Sequence, residues 1–192
     1  ENQDAIDDFI EAVSDISDNI NSDFWNGEDV MGIFFNEFNR YKGKSESGQV
    51  FTPDHITSLM YKITEVNKDD LILDAACGSG AFLVKSMCNM IKEAGGNSTK
   101  KAKDIKKKQL FGIELDKEIY ALACANMIIH KDGKTNLEQL DARSNEAKKW
   151  IKSKKITKVL MNPPFENKYG CLDIVLNVLN SIDRDKTCAF IM

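Results

Sequence analysis

The run Lys158 to Phe165, KVLMNPPF, sets a short apolar segment directly against two prolines. Proline cannot donate to a strand ladder and biases its predecessor away from helix. Val159–Leu160–Met161 therefore reads as a buried strand that ends in a loop at Asn162–Pro163–Pro164–Phe165. Asn162 brings a side-chain carbonyl to that loop. The main-chain carbonyls of Asn162 and Pro163 follow in a stiff segment, and Phe165 brings a flat apolar face. Two converging acceptors beside a stacking ring suit a planar group that bears an amine, such as adenine. Asn162, Pro163, Pro164 and Phe165 are the candidate catalytic set.

A second constellation lies upstream. Asp70 to Ala76 (DLILDAA) has a buried-strand pattern, the turn Cys77–Gly78–Ser79–Gly80 follows at once, and helical spacing resumes at Leu83, Val84, Met87 and Ile91. Strand, glycine turn and helix make the first half of a Rossmann-like unit, in which glycines let the backbone approach a ligand and the helix start supplies N–H groups. Asp74 at the strand end narrows the choice of ligand. A carboxylate there repels a pyrophosphate and favours an ammonium group, which points towards S-adenosylmethionine and away from NAD or ATP. The second strand, Gln109 to Ile113, closes on Glu114, where such folds bind ribose hydroxyls. A Lys-rich insertion accounts for its distance from the glycines. A third short strand, Asn136 to Gln139, ends near Asp141. That carboxylate is placed either to accept from an adenine amine or to cap a helix over Arg143 to Trp150.

These residues need elements to hold them. Ile6, Phe9, Ile10, Val13, Ile16 and Ile20 recur at helical spacing between acidic residues, and a second helix is expected from about Glu28 to Tyr41 with Val30, Phe34, Phe38 and Tyr41 on one side. Both read as a packing layer on a larger domain. Gly43 to Gly48 reads as a flexible linker. Thr52 is expected to cap a helix with Pro53 in its first position, running through Ile56, Leu59, Met60 and Ile63. Asn97 to Lys108 reads as a solvated loop rather than a DNA-contacting patch. Lys117 to Ile129 is expected to be helical with Ile119, Leu122, Ala123 and Met127 inward. The helix after NPPF carries Leu172, Val175, Leu176 and Leu179 at i, i+3, i+4 and i+7 spacing on one face, and Thr187 to Met192 begins a fifth strand. Strand and helix alternate, which predicts an α/β doubly wound, mostly parallel sheet with right-handed crossovers. The glycine turn, Glu114, Asp141 and Asn162 then all fall at carboxyl ends of strands, where ligands bind in such sheets.

Composition narrows the function classes. Among 192 residues the net charge is −4, and there are five Cys and two His. The cysteines are odd in number and lack CxxC spacing, so neither a metal site nor a disulfide framework is expected, and a reducing cytoplasm fits best. His55 and His130 read as satisfied structural residues. A protein that grips DNA unaided normally shows a basic footprint, so work on DNA would need a grip supplied from elsewhere. No apolar stretch is long enough to cross a bilayer. The chain opens on Glu1 and closes within an expected strand, and is read as a piece of something longer.

Together the motifs GQVFTP (48–53), DAACGSGAFL (74–83), GIELD (112–116), LDA (140–142) and NPPF (162–165) resemble, in that order, the N6-adenine DNA methyltransferase (M) subunit of type I restriction–modification systems, in the gamma arrangement. The resemblance covers roughly Gly48 to Met192. Behind the helical segment over 1–45, it implies a catalytic domain over 46–192 that lacks the last strands, and transfer of methyl from S-adenosylmethionine to adenine in DNA. It implies cofactor contacts from Phe51, Thr52 and Pro53, and the methionine part held by Asp74 and the Cys77, Gly78, Ser79 and Gly80 turn. Glu114 would take the ribose and Asp141 the adenine, with Ala76, Leu115, Ala142 and Asn162 completing the pocket. Implied partners are DNA, a specificity subunit and a restriction subunit, with no membrane and no metal. Ala75 departs from the family, which more often has Pro there. NPP-aromatic loops also occur in enzymes that methylate a protein glutamine amide or an RNA base, and GQVFTP favours DNA over these. A non-catalytic docking subunit is a third reading, against which the intact Asn162, Gly78 and Gly80 stand.

Overall fold

The computed structural model describes residues 2–42, 52–131, 136–165 and 170–192. In chain order the elements are α1 (Asn2–Ile20), α2 (Val30–Lys42), α3 (Asp54–Ile63), β1 (Ile72–Asp74), α4 (Ala81–Glu93), α5 (Lys100–Lys108), β2 (Leu110–Glu114), α6 (Lys117–Ile129), β3 (Leu137–Gln139), α7 (Asn145–Ser153), β4 (Lys158–Met161), α8 (Cys171–Leu179) and β5 (Thr187–Phe190). All five strands are parallel, in the order β3-β2-β1-β4-β5. The order reverses between β1 and β4, so the carboxyl ends of those two strands form the switch point at which such sheets bind ligands.

The central strands β1, β2 and β4 are near-continuous apolar runs because both faces of the sheet are covered there. Side chains alternate along each strand. Ile72, Leu110 and Leu160 enter one core with Leu83, Met90, Ile105 and Met127. Their neighbours Leu73, Phe111, Val159 and Met161 enter the other, with Ile151 and Val178. α4, α5 and α6 therefore cover one face, and α7 and α8 the other. Phe111 and Trp150 meet edge to face at 6.1 Å across the second core.

Several boundaries and faces depart from expectation. β1 is shorter than Asp70–Ala76 because both ends do other work. Asp70 accepts from Asn67 N at 2.9 Å and from Thr157 Oγ1 at 2.8 Å, while Ala76 N turns back to Asp74 Oδ1 at 3.1 Å. Residues 97–108 are not a loop throughout. Thr99 caps α5 by accepting from Ala102 N at 3.0 Å, and Ala102 and Ile105 alone anchor that otherwise Lys-rich helix in the core. α7 starts later than expected because Ser144 caps it.

α8 buries Ile174, Val175 and Val178, whereas Leu172, Leu176 and Leu179 lie on its exposed side. In α6, Leu122 is only half-buried and Asn126 takes an inward position. The apolar stripe of α1 is not a packing face among the described residues: Ile6, Phe9 and Ile10 are each at least half exposed. Instead α1 is moored at its C-terminal end. Ile20 is buried, Ser17 Oγ donates to Ile129 O at 3.0 Å, and Asn21 Nδ2 donates to the same carbonyl at 2.8 Å. Phe34 is exposed on α2. The linker Gly43–Gly48, Phe51 and the side chains of Phe38 and Tyr41 lie outside what the structure describes.

Candidate active site

The glycine turn between β1 and α4 explains its own composition. Gly78 and Gly80 have φ of +55° and +97°, a region that other residues enter at a cost. A Cβ on Gly80 would come within 3.0 Å of Met127 Cε, whereas one on Gly78 would meet nothing within 4 Å. Gly78 thus borders open space. Two carboxylates shape the turn from below. Glu114 Oε2 accepts from Gly78 N at 3.0 Å, and its Oε1 accepts from Asp116 N at 2.9 Å. Asp74 is 1% exposed. Burial, reinforced by the nearby charge of Glu114 and opposed by the Ala76 N–H, pushes its carboxyl up to about 8. Burial likewise raises Glu114. A cation placed over this turn would reverse the penalty on both groups.

Ala76 is half-buried beside the turn and Cys77 is buried, its thiol pushed far up by desolvation. Leu115 is half exposed. Asp141 is engaged by its own loop. Arg143 closes a fork on it, Nε to Oδ1 at 2.8 Å and a terminal nitrogen to Oδ2 at 2.7 Å, which holds the carboxyl below its ordinary range. It caps no helix, since Ser144 does that. Ala142 is buried, and its carbonyl accepts from Asn177 Nδ2 at 2.7 Å, fixing this loop to α8.

At the end of β4, Asn162 reaches back across the switch point. Its Nδ2 donates to Thr52 Oγ1 at 3.0 Å, while its Oδ1 is buried with no donor. Thr52 therefore does not cap α3, as its position suggested. The cap position belongs to Pro53, which makes no side-chain cap bond, and the Thr52 hydroxyl is spent on the amide instead. Pro163 is buried, Pro164 half-buried, and the Phe165 ring 53% exposed. The structure thus joins Asn162 to Thr52 and Glu114 to Gly78, and leaves Asp141 paired within its own loop.

Sequence reading missed the residues that fasten the N-terminal segment here. Asp29 caps α2, its Oδ1 accepting from Gly32 N at 2.9 Å and from Asn126 Nδ2 at 2.8 Å, and its Oδ2 takes the Ser79 hydroxyl. Lys85, 4% exposed, donates to Asn26 O at 2.6 Å and pairs with Asp54 Oδ1 at 2.6 Å. An Asp three residues before a Gly at a helix start was a legible cap. Its reach to Ser79 was not, because no local pattern encodes a contact fifty residues away.

His130, expected to be satisfied, is 2% exposed with no partner for Nε2, and its burial beside Lys106 pushes it down to about 4. His55 is exposed on α3. Among the described residues no helix is long and apolar enough to cross a membrane.

A family model described as N-6 DNA Methylase matches residues 27–186. One curated relative, the type II restriction enzyme and methyltransferase RM.BcgI of Heyndrickxia coagulans, is 40% identical over 147 residues, which is 76% of this chain and 22% of the relative. The type I restriction enzyme MpnII methylase subunit of Mycoplasma pneumoniae is 29% identical over 71% of this chain and 25% of its own. This chain thus spans about a quarter or less of either relative. Among solved structures, the type I restriction enzyme EcoKI M protein superposes with a TM-score of 0.65 at 16% identity, over 76% of this chain and 34% of that one, which is a likeness of fold.

Proposed function

The chain belongs to the N-6 DNA methylase family, and from that premise we propose that it transfers a methyl group from S-adenosylmethionine to the N6 amine of adenine in duplex DNA. Within that reading, residues 46–192 form the catalytic domain and 1–45 a helical segment, working as the modification subunit of a type I restriction–modification system in a prokaryotic cytoplasm. The observation that carries the proposal is the Asn162 amide. Its donor end is tied to Thr52 and its acceptor end is left undonated, at the carboxyl end of β4, the parallel neighbour of β1.

The donor set fits the cofactor. The open space over Gly78 lies above two carboxylates whose burial a cationic ligand would relieve. Asp74 and the 77–80 turn would hold the methionine part, and Glu114, Asp141, Leu115, Ala76 and Ala142 would line the nucleoside part. When bound, the cofactor supplies a sulfonium methyl group. The N6 lone pair of adenine is delocalised into its ring. Asn162 Oδ1 and the Pro163 carbonyl, by accepting its two hydrogens, would let that nitrogen become tetrahedral and aim the lone pair. No strong base is required, so catalysis is positioning and local electrostatics. Extruding the base costs a few kcal/mol, of which stacking on Phe165 would offset ~1–3.

A net charge of −4 supports a grip on DNA supplied by other parts of the assembly, in this reading a specificity subunit, with a restriction subunit alongside. The likeness to RM.BcgI, whose name covers restriction enzyme and methyltransferase together, favours a second arrangement in which the same chemistry is combined with a nuclease. The test is transfer of labelled methyl by the full-length protein to duplex DNA, compared with release-factor and ribosomal RNA substrates. Label in adenine N6 that disappears in Asn162→Ala, with cofactor affinity retained, supports the proposal. Label in a glutamine amide or in RNA alone overturns it, and affinity that collapses along with turnover would overturn the division of roles that gives Asn162 to the base.

A further inference from the structure

Ser79 stands in the middle of the glycine turn, yet its side chain is turned inward. It is 2% exposed, and its hydroxyl is spent on Asp29. Asn126, itself fully buried, donates both to Asp29 Oδ1 at 2.8 Å and to the Ser79 carbonyl at 2.9 Å, and its own Oδ1 is an orphan acceptor. Close approach is built into the partner segment. A Cβ on Gly32 would overlap the Asp29 carboxylate and come within 3.0 Å of Ser79 Oγ. Gly27, two residues before Asp29, would likewise drive a Cβ to 2.8 Å from Cys88 Cβ on α4.

We infer that Asp29 is a positioning residue of the cofactor site, clamping Ser79 from behind so that the 77–80 backbone stays in its ligand-ready form. This rests on the reading given above. Gly78 and Gly80 sit at positive φ, and glycine leaves such a conformation more freely than any other residue. Held by Glu114 on the Gly78 N–H and by Asp29 and Asn126 on Ser79, the turn has little freedom left to lose when a ligand docks. Preorganisation of this kind shows in affinity rather than in the chemical step.

The experiment uses the full-length protein and S-adenosylmethionine itself, by calorimetry and steady-state kinetics. Wild type is titrated first. If it binds no cofactor, the reading beneath this inference has failed, and that outcome is seen before any variant is made. Asp29→Ala is expected to raise the cofactor Kd about tenfold or more, with the loss appearing in KM for the cofactor rather than in kcat. Asp29→Asn, which keeps an acceptor for Gly32 N, should fall between. Ser79→Ala should mimic Asp29→Ala, and the double variant should be no worse than either, since one acts through the other. If Asp29→Ala does not fold, Asp29→Asn and Ser79→Ala decide. A Kd within twofold of wild type despite a lowered Tm, or additive losses in the double variant, would reduce Asp29 to a helix cap and overturn the inference.

Discussion

The Asn162 amide is half satisfied: Nδ2 donates to Thr52 Oγ1 at 3.0 Å, and Oδ1, at the other pole, is buried without a donor. A buried acceptor left unpaired costs ~1–3 kcal/mol, so this pole is primed for a ligand N–H. The Thr52 hydroxyl decides which way the amide points. Thr52→Val keeps the shape and removes the acceptor. It should lower kcat at saturating cofactor by about 10–100-fold, the scale of losing a positioned group. Single-turnover methylation of duplex DNA checks this, and an unchanged kcat would show that the amide needs no such anchor.

Under the proposed reading, Asp74 should give the cofactor affinity a pH dependence. Its folded value of about 8 lies above the ordinary 3.8, so the free protein carries a proton there at neutral pH, and binding a cation must release it. Affinity for S-adenosylmethionine should therefore rise from pH 6 to pH 8. Calorimetry in buffers of different ionisation enthalpy should register proton release at pH 7. The linkage for stability has the opposite slope. Because the folded pKa is raised, the stabilising share is fully present below about 4 and is lost as pH rises through 8. Asp74→Asn should thus raise Tm at pH 8 by about 2–4 °C or more while weakening cofactor binding.

His130 predicts the acid limit of the fold. Burial lowers it to about 4 from 6.5, so its stabilising share is present above pH 6.5 and is lost as pH falls towards 4. The loss can reach roughly 3 kcal/mol. His130 and Trp25, whose Nε2 and indole N–H are both without partners, are among the residues lining a cavity of about 20 Å³ between the end of α1 and helices α4 and α5. Trp25 fluorescence, read in a Trp150→Phe background, should report release of the N-terminal segment between pH 6 and 4.5. His130→Gln should flatten that transition.

Phe165 offers its ring rather than its packing. At 53% exposure it contributes little to the core, so Phe165→Ala should leave Tm within about 2 °C. The same change should lower kcat/KM for DNA by about 5–150-fold, the equivalent of ~1–3 kcal/mol of stacking. Phe165→Trp should restore most of it. Equal losses from both substitutions would argue against stacking.

How much of this was legible depended on the range of the contact involved. β1, β2 and β4 announce themselves because each is covered on both faces, and the acidic or amide residue closing each run marks the carboxyl end. α5 was hidden because six of its nine residues are Lys, and only Ala102 and Ile105 point inward. In α8 the spacing of Leu172, Leu176 and Leu179 reported a helix correctly. It did not say which side is buried, since periodicity says which residues share a face and not what covers it. The same limit applies to α1. Thr52 was read by its neighbour Pro53 as a helix start, when its partner lies at residue 162. Asp29 reaches Ser79 and Lys85 reaches Asn26 over fifty residues or more, beyond any local pattern.

Lys85 carries a consequence for how the molecule breathes. One ammonium, sealed from water, is shared by the carbonyl of Asn26 and the carboxylate of Asp54, so neither flanking segment can peel away without stranding a buried cation. Residues around Asn26 and the first turn of α3 should then lose their amide protection in a single concerted opening. The turn at Asn26 and the start of α3 would swing as one door, not as two.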